Sequence, residues 1–258
     1  MITMTEKKTL SGKTALITGA STGLGLHFAH ILGNAGAQVI LCARRANLLE
    51  NSCRQLVKQG ISAHSCLMDV TQESSIKKSI HEAWDLTGGI NILVNNAGIA
   101  SSTAALEQDY DNWNQVLQTN LNGVFLTART LAKMMVEQKR TGSIINIASM
   151  LGVSVKPGLS AYCASKAAVI QLTRSLAIEW ARYDIRVNAL APGYFKTDIN
   201  REFLDSPMGK KMCAGIPQKR FGQLADLDQP LLLLAGEGSG YMTGSILTID
   251  GGHSLMIP

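Results

Sequence analysis

No run of apolar residues in this sequence approaches the roughly 20 needed to span a bilayer as a helix. Even Leu231-Leu232-Leu233-Leu234-Ala235 is far too short. The stretch Met1 to Lys8 is polar and lacks the apolar centre of a secretory leader, so a cytoplasmic protein is expected. Cysteines are few, odd in number and without a Cys-x-x-Cys pair (Cys42, Cys53, Cys66, Cys163, Cys213), which points to reduced, mostly buried thiols. The five histidines are scattered and match no ligand spacing, so no metal site is expected. Basic residues exceed acidic ones by 24 to 19, but they form no long run. That balance suits small anionic ligands and argues against nucleic acid as a partner. Proline is scarce, 6 residues against 24 glycines, a ratio that suits tight strand-to-helix turns.

What is present is an alternation of short apolar runs and amphipathic ones. Thr14–Thr18, Gln38–Cys42, Ala63–Met68, Asn91–Val94, Ser143–Ser149, Ile185–Leu190 and Ser245–Ile249 read as strands. Helical patterns separate them, among them Ala46–Gln59, a long region from about Asp109 to Gln138, and Tyr162 to about Tyr183. The alternation predicts an α/β fold with a doubly wound, seven-stranded parallel sheet in a single domain. At 258 residues, 46% hydrophobic and 17% charged, the chain is long enough for one such core. Residues 194–215 mix helix formers with Pro207 and Gly209, show no neighbouring strand, and are expected to cover a site.

The first strand runs into Gly19-Ala20-Ser21-Thr22-Gly23-Leu24-Gly25, followed by a helical pattern. Strand, glycine turn and helix in that order is the context in which backbone can approach a pyrophosphate and a helix N-terminus can meet it. The spacing is G-x3-G-x-G rather than G-x-G-x-x-G. About 20 residues on, where an acid would bind a ribose hydroxyl, stand Arg44 and Arg45. Guanidinium groups match a 2′-phosphate, so the cofactor expected is NADP(H), with Arg44 the main contact. The chemistry is expected between Ser149 and Lys166. Tyr162 and Lys166 are four apart on a helix and share a face, and a cation beside a phenol draws its pKa down. Such a phenol can exchange a proton with a carbonyl or alcohol oxygen, and Ser149 could hold that oxygen from the strand end. Asn120-Leu121-Asn122-Gly123 interrupts the long helical region; by spacing alone a functional group and a simple kink are equally served.

Taken together, Thr18-Gly19-x3-Gly23-x-Gly25, Asn95-Asn96-Ala97-Gly98, Asn120, Ser149, Tyr162-x3-Lys166 and Pro192-Gly193 with Thr197 resemble the compact branch of the short-chain dehydrogenase/reductase family, from about Ser11 to Gly252. The three-residue gap in the glycine turn is that family's form. The resemblance implies a Rossmann-like fold, with Tyr162 as general acid/base and Ser149 positioning the substrate oxygen. Lys166 would lower the tyrosine pKa and hold the nicotinamide ribose, and Asn120 would hold a relay water. It also implies cofactor contacts from Gly19, Ser21, Thr22, Gly23, Leu24 and Gly25, from Asp69 and Val70, from Asn96, Ala97 and Gly98, and from Pro192, Gly193 and Thr197. A homotetramer or homodimer is implied as well. Two subgroups compete for the substrate, a small-molecule carbonyl or alcohol. Ser175-Leu176-Ala177-Ile178-Glu179 resembles a stretch of the 3-oxoacyl thioester reductases, but with Ile178 where an arginine could face an acidic carrier protein. Glu179-Trp180-Ala181 with Asp184–Asn188, and Ala191-Pro192-Gly193-Tyr194-Phe195, resemble gluconate-type dehydrogenases somewhat better. A non-catalytic NADPH-binding scaffold is the reading from another class.

Overall fold

Strand residues decide the architecture because they are apolar on both faces. In β1 (Thr14–Thr18), Ala15 and Ile17 point into one core while Leu16 points into the other, the two-residue period of a pleated strand covered on both sides. The computed structural model describes residues 8–196 and 201–256. Along it follow α1 (Gly23–Asn34), β2 (Gln38–Ala43), α2 (Ala46–Lys58), β3 (Ala63–Leu67), α3 (Glu73–Thr87) and β4 (Ile92–Asn95). Then come α4 (Tyr110–Leu117), α5 (Gly123–Glu137), β5 (Gly142–Ile147), α6 (Ser160–Trp180) and β6 (Ile185–Pro192). The chain closes with α7 (Arg201–Asp205), α8 (Pro207–Gly215), α9 (Asp228–Ala235) and β7 (Ile246–Ile249).

The seven strands form one sheet in the order β3-β2-β1-β4-β5-β6-β7, and every pairing is parallel. One face is packed by α1, α2 and α9 through Phe28, Leu32, Leu49, Leu56, Leu231 and Leu234. The other is packed by α3, α5 and α6 through Ile76, Ile80, Leu131, Met135 and Leu176. Each such side chain, removed from water, contributes roughly 1.5–3 kcal/mol. Because β1 and β4 are neighbours whose outgoing connections run in opposite directions, a crevice opens between their carboxyl ends, the place where open α/β sheets bind ligands.

Two local features depart from the sequence reading. The interruption in the long helical region is a π-helical turn, Gln118–Asn122, closed by a bond from the Gly123 N–H to the Gln118 carbonyl. Gly123 then lets α5 lie against the end of β3, since a Cβ there would stand 2.9 Å from the Val70 carbonyl oxygen. The second departure concerns residues 194–215, expected to lack a strand partner. Phe195 forms an isolated parallel bridge with Gly222. The bridge exists because Gly222 leaves room for the Phe195 ring, 2.5 Å from where its Cβ would be. Among the described residues no helix is long and apolar enough to cross a membrane.

Candidate active site

The glycine turn is built by close approach. Gly19 has φ +65, and a Cβ on it would lie 2.9 Å from the Ala97 Cα. A Cβ on Gly25 would run into the Gly19 carbonyl oxygen. The turn is tied to β4 by Thr18, whose hydroxyl accepts from the N–H groups of Asn96 and Ala97, both at 3.0 Å. The Asn96 side chain donates back to the Thr18 and Gly19 carbonyls at 2.9 and 3.2 Å, and the Ser52 hydroxyl donates to the Ser21 carbonyl at 2.9 Å. Gly23 is different: φ is +59 and nothing lies within 4 Å of its absent Cβ. That open cradle sits at the N-terminus of α1, where Thr22 supplies no side-chain cap. Free N–H groups at an uncapped helix start suit a phosphate.

A cavity of about 630 Å³ begins at this cradle, a volume in the range of small-ligand sites. Gly19, Ser21, Thr22, Gly23, Leu24, Arg44, Arg45, Asp69, Val70, Asn96, Ala97, Gly98, Ser149, Tyr162 and Gly193 all line it. Gly25 and Pro192 do not; they pack beneath it, Pro192 at the buried end of β6. Thr197 lies outside the described residues. Arg45 donates to the Ser21 and Thr22 hydroxyls, both at 3.3 Å. No such bond holds Arg44 among the described residues, and its guanidinium is exposed at the cavity rim. Asp69 is folded onto Thr71, accepting from its N–H at 3.0 Å and its hydroxyl at 2.8 Å. Cradle, uncapped helix and arginine together fit a phosphorylated dinucleotide.

At the far end stand the hydroxyls. Ser149 follows β5 in extended conformation and caps the short turn Met150–Gly152, accepting from the Leu151 N–H at 3.1 Å. It stands near enough to Tyr162, in the first turn of α6, to pull the phenol pKa down. Lys166 and Asn120 are behind this wall. Lys166 is buried, its Nζ 5.7 Å from the centre of the Tyr162 ring and donating to the Ile147 carbonyl at 2.7 Å. Burial alone draws its pKa down to about 8.

The expectation that Lys166 lowers the Tyr162 pKa requires correction for this structure. Burial pushes the Tyr162 phenol above its ordinary value, the opposing pull comes from the Ser149 side chain, and Cys163 and Tyr194 add to the rise. Burial is the largest of these causes, and the Lys166 ammonium makes its hydrogen bond to the Ile147 carbonyl.

Asn120, fully buried in the π-helical turn, uses its side chain to hold the strand-4 loop. Its Oδ1 accepts from the Ile99 N–H at 2.8 Å, and its Nδ2 donates to the Ile99 carbonyl at 2.9 Å and the Ser165 hydroxyl at 3.1 Å. Both amide hydrogens are thus engaged. Gly98 leaves space facing Asn120 Oδ1 and Lys166 Nζ, 3.3 and 3.6 Å from its absent Cβ. The sequence reading did not single out Met150, Leu151, Lys156 and Leu159, which also line the cavity, together with Tyr194 and Phe195 from the segment expected to cover it. The one available signal was a lysine beside Pro157-Gly158, in the loop joining the two expected catalytic residues.

A glycine cradle at the switch point, opening into a cavity that ends on a buried phenol, defines a dinucleotide-using oxidoreductase of the open α/β class. The sequence matches the family model for short chain dehydrogenases over residues 13–207, and the chain belongs to that family. It is 34% identical to the gluconate 5-dehydrogenase of Gluconobacter oxydans over 249 residues, 96% of this chain and 97% of the relative. It is 36% identical to a 3-oxoacyl-acyl-carrier-protein reductase of Aquifex aeolicus, over 94% of this chain and 98% of that one. Among solved structures, a gluconate 5-dehydrogenase from Burkholderia cenocepacia in complex with NADP and tartrate superposes with a TM-score of 0.92 at 35% identity, covering 96% of this chain and 98% of the other.

Proposed function

We propose that this chain is an NADP(H)-dependent oxidoreductase interconverting a ketone and a secondary alcohol, with Tyr162 as the general acid/base. The observation that carries it is that Ser149 and Tyr162 line one cavity together with the glycine cradle and Arg44, Ser149 near enough to act on the Tyr162 phenol. When bound, the cofactor supplies or accepts the hydride. Gly19, Ser21, Thr22, Gly23 and Leu24 would hold its phosphates, Arg44 and Arg45 its 2′-phosphate, and Asp69 and Val70 its adenine, a use the NADP in the Burkholderia relative supports. Asn96 to Gly98, with Pro192, Gly193 and Lys166, would seat the riboses and carboxamide.

In reduction, Tyr162 gives its phenolic proton to the substrate oxygen while the Ser149 hydroxyl donates to the same oxygen and holds it in place. The raised Tyr162 pKa keeps the phenol protonated, ready to act as the acid. In oxidation the direction reverses, and the proton must leave past Lys166, whose pKa of about 8 lets it give and take a proton near neutrality. Asn120 orders the loop that presents Gly98, beside which the Lys166 ammonium also lies, and would hold the relay water. Tyr194 and Phe195, at the start of the segment expected to cover the substrate, line the cavity, and the Gly222 N–H donates to the Tyr194 carbonyl at 2.9 Å.

The thioester-reductase reading is the weaker refinement, because Ile178, where carrier docking wants a cation, is 82% exposed. A homotetramer formed through α6 and the edge strand β7 is part of the proposal. NADPH oxidation across 3-ketoacyl thioesters, 5-keto-gluconate and simple diketones tests the reaction. Tyr162→Phe is expected to lower kcat by about 10²–10⁴ with NADPH affinity kept. A variant with near-normal kcat would remove Tyr162 from the mechanism, and tight NADPH binding without turnover of any carbonyl would favour the scaffold.

A further inference from the structure

We infer that Lys156, together with the Tyr194 hydroxyl, anchors a carboxylate of the substrate, so that the substrates are small hydroxy and keto acids. The inference rests on the oxidoreductase reading for the reaction but not for the binding.

Lys156 lies in the loop between Ser149 and Tyr162, where Pro157 and Gly158, at φ +77, turn the chain back toward α6. Its Nζ donates to the Tyr194 hydroxyl at 3.2 Å and stands 5.2 Å from the centre of that ring. Both residues line the cavity of Ser149 and Tyr162, and Tyr194 is near enough to raise the Tyr162 pKa. With its oxygen accepting from Lys156, the Tyr194 phenol still has its own proton to donate. The cation and the phenol therefore form a two-donor pole in the same cavity as Ser149 and Tyr162.

Charge distribution along the cavity gives this pole its meaning. The lining residues that carry charge are Arg44, Arg45 and Asp69 at the cradle end, and Lys156 at the Tyr162 end, among the described residues. The nearby Asp250 is committed elsewhere, its two oxygens accepting from the N–H groups of Gly252 and Ser254 at 2.8 Å each. His253, packed on Tyr194 at 5.8 Å between ring centres, has a buried Nδ1 with no partner. Burial holds its pKa down, with Lys156 adding to the effect and Asp250 opposing it. Among the described residues, the substrate end therefore presents a cation and a phenol against a neutral, apolar remainder that includes Leu151 and Leu159. A half-buried ammonium rewards an anion much more than a neutral hydroxyl, since charge-assisted bonds are about twice as strong. A molecule satisfying both ends carries a ketone or alcohol for Tyr162 and a carboxylate several bonds away. A 3-oxoacyl thioester carries no carboxylate on its acyl chain.

The test is calorimetric titration of the NADP⁺-saturated enzyme with tartrate and with threitol, the same carbon chain bearing hydroxymethyl groups in place of carboxylates. Tartrate should bind more tightly to the wild type. Lys156→Met should weaken it by about 10- to 100-fold and Lys156→Arg should restore most of that loss. In turnover of 5-keto-gluconate and its neutral primary amide, the wild-type preference for the acid should collapse in Lys156→Met, through KM far more than kcat. Equal tartrate affinity in wild type and Lys156→Met, equal losses for acid and amide, or no wild-type preference for the anion in either pair would overturn the anchor. Lys156-dependent tartrate binding without NADPH oxidation on any ketone would instead sink the oxidoreductase reading and leave the anchor standing.

Discussion

Lys166 is buried and, among the described residues, has only the Ile147 carbonyl as a hydrogen-bond partner, so its titration should be visible in the stability of the cofactor-free chain. Its pKa is about 8 in the folded protein against an ordinary 10.5. Between those values the unfolded chain keeps a proton that the folded chain has already lost. Stability therefore rises with pH across that window. At about 1.4 kcal/mol per pH unit the rise amounts to about 3 kcal/mol. Below pH 8 the folded state bears the full penalty of a buried ammonium. Lys166→Met removes the penalty but leaves the Ile147 carbonyl without its donor, a pH-independent cost of about 1–3 kcal/mol. Near neutrality the two terms offset, and the variant should unfold within about 2 kcal/mol of the wild type. Toward pH 10.5 the wild type should pull ahead by about 3 kcal/mol more. Urea unfolding followed by Trp84, Trp113 and Trp180 fluorescence over this range, with the variant curve subtracted, isolates the term, because Cys42, Cys66 and the other titrating groups are common to both. Parallel curves would show that Lys166 keeps an ordinary pKa, and the desolvation argument would fail.

Arg44→Asp places a carboxylate where the 2′-phosphate is expected, and should lower kcat/KM for NADPH at least about tenfold while sparing NADH; an unchanged NADPH/NADH ratio would refute the coenzyme assignment. Gly25→Ala drives a methyl into the Gly19 carbonyl and the Asn96 amide, 2.5 Å away in the latter case, and should cost about 1–3 kcal/mol in urea unfolding along with cofactor affinity. A variant as stable as the wild type would show that the turn can relax. Asn120→Ala removes three hydrogen bonds from the Ile99 loop and Ser165. It should destabilise the chain by about 2–4 kcal/mol, read in the same assay; a neutral substitution would mean that the loop is held by its backbone alone.

How much of this was readable from the chain depended on whether the cause was local. The G-x3-G-x-G turn follows from close backbone approach and from flanks that can be read in sequence, and the structure shows Gly19 and Gly25 where no side chain fits. The seven strands follow from apolar runs long enough to cross the sheet once. The irregularity at Asn120–Gly123 was visible because asparagine and glycine are poor helix formers, but its π-helical form depends on α5 meeting the end of β3, a tertiary contact that spacing does not encode. The Tyr162–Lys166 pair is a sharper case. Four-residue spacing puts both on one face of α6, yet it says nothing about where the ammonium points. The ammonium bonds the Ile147 carbonyl at the end of β5, and burial, which spacing does not encode, makes the Tyr162 shift opposite in sign to the local expectation. Lys156 was passed over for the same reason, since a lone lysine in a proline–glycine loop looks solvated until Tyr194, 38 residues away, closes over it. The buried chain from Asn95 through Asn146 to Thr173, with both bonds at 2.9 Å, has no local signature at all. Its asparagines lie within apolar strands, where a polar residue is tolerated only because two neighbouring elements satisfy it.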